Sequence, residues 1–247
     1  MKAPAPWLLL DVGNTAIKWR LADADGLQDL SGVAATAASL YESVKKHEWQ
    51  AVALSSVAGE VADKALLTAL KTVRSAPVWQ ARAESSCLGL VSGYAQPPRM
   101  GVDRWLAMLG ARHASAGPLC VIDAGTAITL DLVAAQGSHE GGYILPGADL
   151  MRRALTAATG QIQVDALDAP TLAPGSDTQT CVSAGGWRAV IGAVQSVLGD
   201  YPEHRALLTG GLAPVLLEMG LSATHHPNLV MEGLRLWLLQ TLDDQGS

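Results

Sequence analysis

The stretch "LLLDVGNTAIKW" (residues 8–19) drives three leucines into an aspartate, then a Gly-Asn turn, then a lysine within an apolar run. An acid at the end of a hydrophobic strand, followed by turn residues, reads as a hairpin. Gly13-Asn14 would supply the positive φ that such a turn uses. Alone, this is an ordinary turn, with Lys18 an exposed strand lysine. A second stretch changes the reading. "LLLDVGNTAIKWRLA" (8–22) and "CVIDAGTAITLDLVA" (120–134) share an apolar strand, an Asp, a small residue, a Gly, a Thr and Ala-Ile. Setting Asp11 on Asp123 aligns Gly13 with Gly125 and leaves about a one-residue gap after them. The copies begin near the starts of the two halves, which predicts duplicated lobes, residues 1–115 and 116–247, facing one another across a cleft.

The intervening chain supports this organisation. "QAVALSSV" (50–57) reads as a buried strand, "ADKALLTALKTV" (62–73) as a helix and "APVWQARA" (76–83) as a strand, a β–α–β rhythm. The prolines of "GYAQPPRMGVDRW" mark a loop before a helix over 103–116. Residues 117–147 read as strand, turn, strand, Gly turn and a third strand, followed by helices over 148–159 and 180–199. A strand, a Gly turn and a helix over 204–220 and an apolar helix over 228–242 close the chain. Strands alternating with helices, with hairpins among them, mean α/β with mixed sheets.

Composition narrows the function classes. A net charge of −6 without a basic cluster argues against binding nucleic acid through its backbone. The three cysteines (Cys87, Cys120, Cys181) lack CxxC spacing and read as small buried thiols in a reducing cytoplasm. No apolar run reaches the length needed to span a bilayer, and "APAPWLLLDVG" lacks the pattern of a signal peptide, so a cytoplasmic protein with no membrane partner is expected. His225-His226, beside a proline, read as surface residues.

The chemistry-bearing pattern is phosphate handling without a P-loop, since neither G-x-x-x-x-G-K-[ST] nor G-x-G-x-x-G after the first strand is present. Two hairpin turns can supply backbone N–H groups and Thr or Asn side chains to phosphate. An Asp at each strand end offers hard oxygen to Mg²⁺. Lys18 can neutralise a phosphoryl oxygen, and the second copy has no equivalent lysine. "TGG" (209–211) and "GGYILPG" (141–147) offer further close-approach turns. In "GVDRW" (101–105), Asp103 sits just ahead of a helix, where it either caps the helix or serves as a general base with Arg104 as an anion fork.

Together, "DVGNTAIK", "GVDRW", "DAGTAITLD", "GGYILPG" and "LTGG" resemble, in order and over nearly the whole chain, the motifs of the type III pantothenate kinases. These belong to the acetate-kinase, sugar-kinase, Hsp70 and actin superfamily. The resemblance implies two ribonuclease H-like (actin-like ATPase) lobes with mixed sheets and a nucleotide cleft between them. It also implies ATP-dependent phosphorylation of pantothenate, the first step of coenzyme A biosynthesis. By the same resemblance the first phosphate loop is Asp11, Val12, Gly13, Asn14, Thr15, Ala16, Ile17 and Lys18, with Asp11 near Mg²⁺. Thr126 would contact ATP phosphate, and Asp123 would bind the monovalent cation, K⁺ or NH₄⁺. Tyr94, Gly101, Val102, Asp103 and Arg104 would hold pantothenate, with Asp103 the proton acceptor. Thr178, or Thr180 close by, would contact substrate. A homodimer is implied, with the helix that begins at "DRWLAMLGARH" either an interface surface or ordinary core. The segment "AQPPRM" (95–100) departs from the family pattern. Alternatives are another small-molecule kinase of the superfamily, or a non-catalytic actin-like or Hsp70-like nucleotide-binding regulator.

Overall fold

Leu8, Leu9 and Leu10 are all wholly buried because their strand, β1 (Trp7–Val12), has a covered sheet face on either side. The structure, a computed structural model, describes residues 5–245. β1 turns into β2 (Ile17–Ala22) and then β3 (Leu27–Ala34), and α1 (Ala37–Val44) leads on to β4 (Ala51–Ser56). α2 (Glu60–Val73) and β5 (Val78–Gln80) complete a five-stranded sheet of order β3-β2-β1-β4-β5. β1–β2 and β2–β3 are antiparallel, whereas β4 and β5 run parallel to β1. Leu8, Leu10 and Val12 pack with Leu40, Val44, Leu66 and Leu70 from α1 and α2. Leu9, one residue out of phase, points to the other face. A two-stranded ribbon, β6 (Ser86–Cys87) and β7 (Leu90–Val91), precedes α3 (Val102–Ala114).

The second half repeats this plan. β8 (Leu119–Ala124), β9 (Ala127–Val133) and β10 (His139–Pro146) form an antiparallel meander. After α4 (Ala148–Ala158) and α5 (Thr178–Asp200), β11 (Arg205–Thr209) joins β8 in parallel. α6 (Ala213–Glu218) and the short β12 (Thr224–His225) follow, giving the order β10-β9-β8-β11-β12. Strand for strand, this is the topology of the first sheet. The inward residues Cys120, Ile122, Ile128 and Leu130 pack against Trp187, Val190 and Val194 of α5, as alternation within β8 and β9 dictates.

The last helix, α7 (Leu229–Gln245), does not stay with the second half. One compact unit comprises the chain up to Ser115 together with the residues from Asn228 onward, and the other is Ala116–Pro227. The chain divides after Ser115, and the described residues from Asn228 onward group with the first unit, whereas the sequence expectation is a second lobe over residues 116–247. The reason is the pairing of α7 with α3. Gly110 of α3 lies against the backbone of Leu229, and Gly233 of α7 against the backbone of Leu106, each so closely that a Cβ would collide with a carbonyl. Trp105, Leu106 and Met108 are fully buried in this contact region, so α3 is core.

The third strand of the first sheet, β3, was not anticipated. It is an edge strand carrying Asp29, Leu30 and Ser31 to the surface, so its pattern lacks the clean alternation of a half-buried strand. Gly13 and Asn14 do not take positive φ, contrary to the expected turn chemistry. The Gly13 N–H instead closes the turn on the Ala16 carbonyl at 3.0 Å. Cys87 and Cys120 are buried, and desolvation together with nearby carboxylates pushes their thiols up to about 11 and about 12. Cys181 is exposed, which corrects the expectation of three buried thiols.

Candidate active site

In the first unit Asp11 sits one residue from the end of β1, half-buried, opposite Lys18 in β2 and beside Ser55 in β4. Directly opposed residues of an antiparallel pair project to the same face, so Asp11 and Lys18 share one side of the sheet. The Ser55 hydroxyl donates to Asp11 Oδ1 at 3.1 Å. Of the anticipated phosphate loop, Val12 and Ile17 turn their side chains into the core and have only backbone to offer. Asn14, Thr15 and Lys18 are exposed.

The second unit repeats the arrangement with one fewer turn residue. Asp123 occupies the equivalent place in β8, opposite Thr129 and beside Thr209 of β11. Gly125 N–H closes the turn on the Ala127 carbonyl at 3.0 Å, and exposed Thr126 is at the tip. The "TGG" turn wraps this aspartate. Gly210 has φ 93°, and a Cβ there would run into Asp123 Oδ1 and the Ala124 carbonyl. Leu212 N–H then donates to that carbonyl at 2.8 Å.

The "GVDRW" motif opens α3, with Gly101 as N-cap residue making no side-chain cap bond. Asp103 is therefore in the first helical turn and not the cap, which removes the capping alternative. Its half-buried carboxylate folds back so that Oδ1 accepts the Arg104 N–H at 2.8 Å. A Cβ on Gly101 would lie 2.6 Å from the same oxygen, so glycine there leaves the carboxylate room. Arg104 is only 5% exposed, donates from Nη1 to Tyr94 Oη at 2.9 Å, and lies 5.8 Å from the centre of that ring. Tyr94, Gly101, Val102, Asp103 and Arg104 thus come together at one helix start, and "AQPPRM" between them includes a short 3₁₀ turn, Pro97–Arg99.

The two candidate threonines separate cleanly. Asp177 caps α5 by accepting the Thr180 N–H at 2.8 Å, while Thr180 Oγ1 accepts the backbone N–H of Ser176 and Asp177. Thr180 is occupied by its helix cap. Thr178, the first residue of the helix, is exposed. Sequence reading had no cue for Ser55 beyond its place at the end of an apolar run. Among the described residues no group of three or more His, Cys, Asp or Glu converges as a metal cage.

Two sheets of identical order, each presenting an aspartate where its first hairpin turns, define an actin-like ATPase fold. Solved structures agree at the level of fold. The chain is similar to a Baf-family protein of Campylobacter jejuni, with a TM-score of 0.58 at 18% identity, covering 97% of this chain and 98% of the other. It is also similar to the ethanolamine utilization protein EutJ of Carboxydothermus hydrogenoformans, with a TM-score of 0.51 at 13% identity over 95% and 90% of the two chains. Sequence comparison is more specific. A model of the type III pantothenate kinase family matches residues 7–200. Type III pantothenate kinases of Aromatoleum aromaticum and Halorhodospira halophila are each 36% identical to it, across 92% and 93% of this chain and 95% and 96% of theirs. That of Azoarcus sp. is 37% identical across 92% and 88%. The chain belongs to the type III pantothenate kinase family. Its reaction is the ATP-dependent phosphorylation of pantothenate, the first step of coenzyme A biosynthesis, and the alternative of a non-catalytic regulator is not favoured.

Proposed function

We propose that in this chain Asp103 is the proton acceptor of the kinase reaction and the Asp11–Lys18 hairpin its principal phosphate loop. The observation that carries this reading is the cluster at the start of α3, where Asp103, Arg104 and Tyr94 are held by mutual hydrogen bonds. Pantothenate's primary hydroxyl gives its proton to the Asp103 carboxylate as its oxygen bonds to the γ-phosphorus. The bond from that phosphorus to the β,γ-bridging oxygen breaks, and ADP leaves. The transition state is loose, so positioning and charge neutralisation do most of the catalytic work. Lys18 neutralises a phosphoryl oxygen, and Thr126 contacts ATP phosphate. Tyr94, Gly101, Val102, Arg104 and Thr178 hold the substrate.

Asp11 suits Mg²⁺, which takes one or two hard carboxylates and otherwise water and phosphate, so no protein cage is needed. Asp123, half-buried at the equivalent place in β8, offers one carboxylate to a monovalent cation, K⁺ or NH₄⁺. The bound ions would supply charge neutralisation. A homodimer working in the cytoplasm completes the reading. Since α7 covers α3 within the chain, its interface lies elsewhere, and Tyr143, Ile144 and Leu155 are exposed apolar residues suited to it. Purified protein with ATP, Mg²⁺, K⁺ and pantothenate is expected to release ADP and form 4′-phosphopantothenate; absence of product would sink the reading.

Three substitutions probe the assignments separately. Among the described residues, nothing requires glycine at position 13. Its φ is not positive, and a Cβ would meet only the Ala16 carbonyl at an ordinary 3.5 Å. A phosphate approaching the backbone supplies the reason. Gly13→Ala should melt like wild type but raise KM for ATP about 10-fold, the scale of one charged hydrogen bond; an unchanged KM would remove Gly13 from the loop. Thr180→Ala should lose about 1 kcal/mol of stability through its cap with little change in KM for pantothenate. Thr178→Ala should do the reverse, raising that KM about fivefold. Swapped outcomes would make Thr180 the contact.

A further inference from the structure

Ser55 is a hydroxyl in a place where β4 has no packing need of one. The residue is 0% exposed, following Ala51, Val52, Ala53 and Leu54 in a wholly apolar run. Burying a hydroxyl is unfavourable unless it is hydrogen-bonded, and here the bond goes to Asp11 Oδ1 at 3.1 Å. The parallel register sets the two residues side by side. The second unit carries a hydroxyl in the same slot, because Thr209, 3% exposed, lies beside Asp123 across the β8–β11 ladder. The hairpins differ where Lys18 faces Asp11 but Thr129 faces Asp123, yet both keep a buried hydroxyl next to the aspartate.

We propose that Ser55 is a positioning residue, whose O–H holds the Asp11 carboxylate in one orientation for the metal–nucleotide complex. This rests on the assignment of Asp11 made above. Such supporting hydrogen bonds commonly set the affinity of a metal-binding carboxylate. The side chain touches neither nucleotide nor substrate in this role.

The test is direct binding of Mn²⁺–ADP, followed by electron paramagnetic resonance of Mn²⁺, to wild type, Asp11→Asn, Ser55→Ala and the double variant. Ser55→Ala is expected to weaken binding about 10–100-fold. Asp11→Asn should weaken it at least as much, and the double variant should be no worse than Asp11→Asn alone. If Ser55→Ala binds like wild type while Asp11→Asn does not, the positioning role is overturned and the Asp11 assignment stands. If Asp11→Asn itself binds like wild type, the Asp11 assignment fails. Additive losses in the double variant would mean that Ser55 acts without Asp11, again overturning the proposal. Should Ser55→Ala fold poorly, Ser55→Thr and Ser55→Val have the same shape and differ by the hydroxyl. Equal binding by that pair counts against the proposal, and tighter binding by the threonine variant counts for it.

Discussion

Asp103→Asn is expected to lower kcat roughly 10²–10⁴-fold, the contribution of a positioned general base, while the protein stays folded. The geometry separates the two roles of this side chain. Its Oδ1 accepts the Arg104 N–H at 2.8 Å, and an asparagine oxygen can accept the same bond. Asparagine keeps the shape of the first turn of α3 and leaves the Tyr94–Arg104 hydrogen bond untouched. What it lacks is the basic oxygen proposed to take the substrate proton. The negative charge near the helix N-terminus is also lost, worth about 0.3–1 kcal/mol of stability, a modest fall in melting temperature. Steady-state kinetics with pantothenate and ATP, paired with a thermal melt, distinguish the outcomes. A variant that keeps wild-type kcat would reduce Asp103 to a stabiliser of its helix.

Gly233→Ala should destabilise the protein by about 3 kcal/mol, the upper part of the range for overpacking a core. The added Cβ would collide with the Leu106 carbonyl and lie 2.9 Å from Leu106 Cα. Both obstacles are backbone, so no rotamer change relieves them, and α7 has to move away from α3. That motion opens the contact around Trp105, Leu106 and Leu234, all fully buried. For a chain of this size the shift is about 6–12 °C in melting temperature, measurable by calorimetry. α3 also carries Asp103 and Arg104, so kcat should fall as well, by less than for Asp103→Asn. A wild-type melting curve would show that the two helices do not cross at Gly233.

These two variants mark the boundary of what local sequence can express. The hairpins were legible because a strand pair and its turn are encoded within about fifteen residues by alternation and small turn residues. Repetition of the pattern at Asp11 and Asp123 then implied the duplicated sheets, whose strand orders do match. "GVDRW" was legible as a motif at a helix start, but not the way Asp103 folds back on the backbone, which leaves the capping position to Gly101. Thr178 and Thr180 could not be separated until the cap of α5 engaged one of them. Ser55 was invisible because its partner is 44 positions away and meets it only through the parallel register of β1 and β4. β3 was missed because an edge strand can be solvated on much of its surface, and its sequence need not alternate.

The sequence by itself therefore determined the fold class, the family and the order of the motifs, since each is written in contiguous residues. The tertiary structure alone decided where α7 belongs. Its residues are buried along most of its length, a pattern that shows it is covered without saying by what. Only the close backbone approach at Gly110 and Gly233 selects α3, and so returns the end of the chain to the unit in which it began.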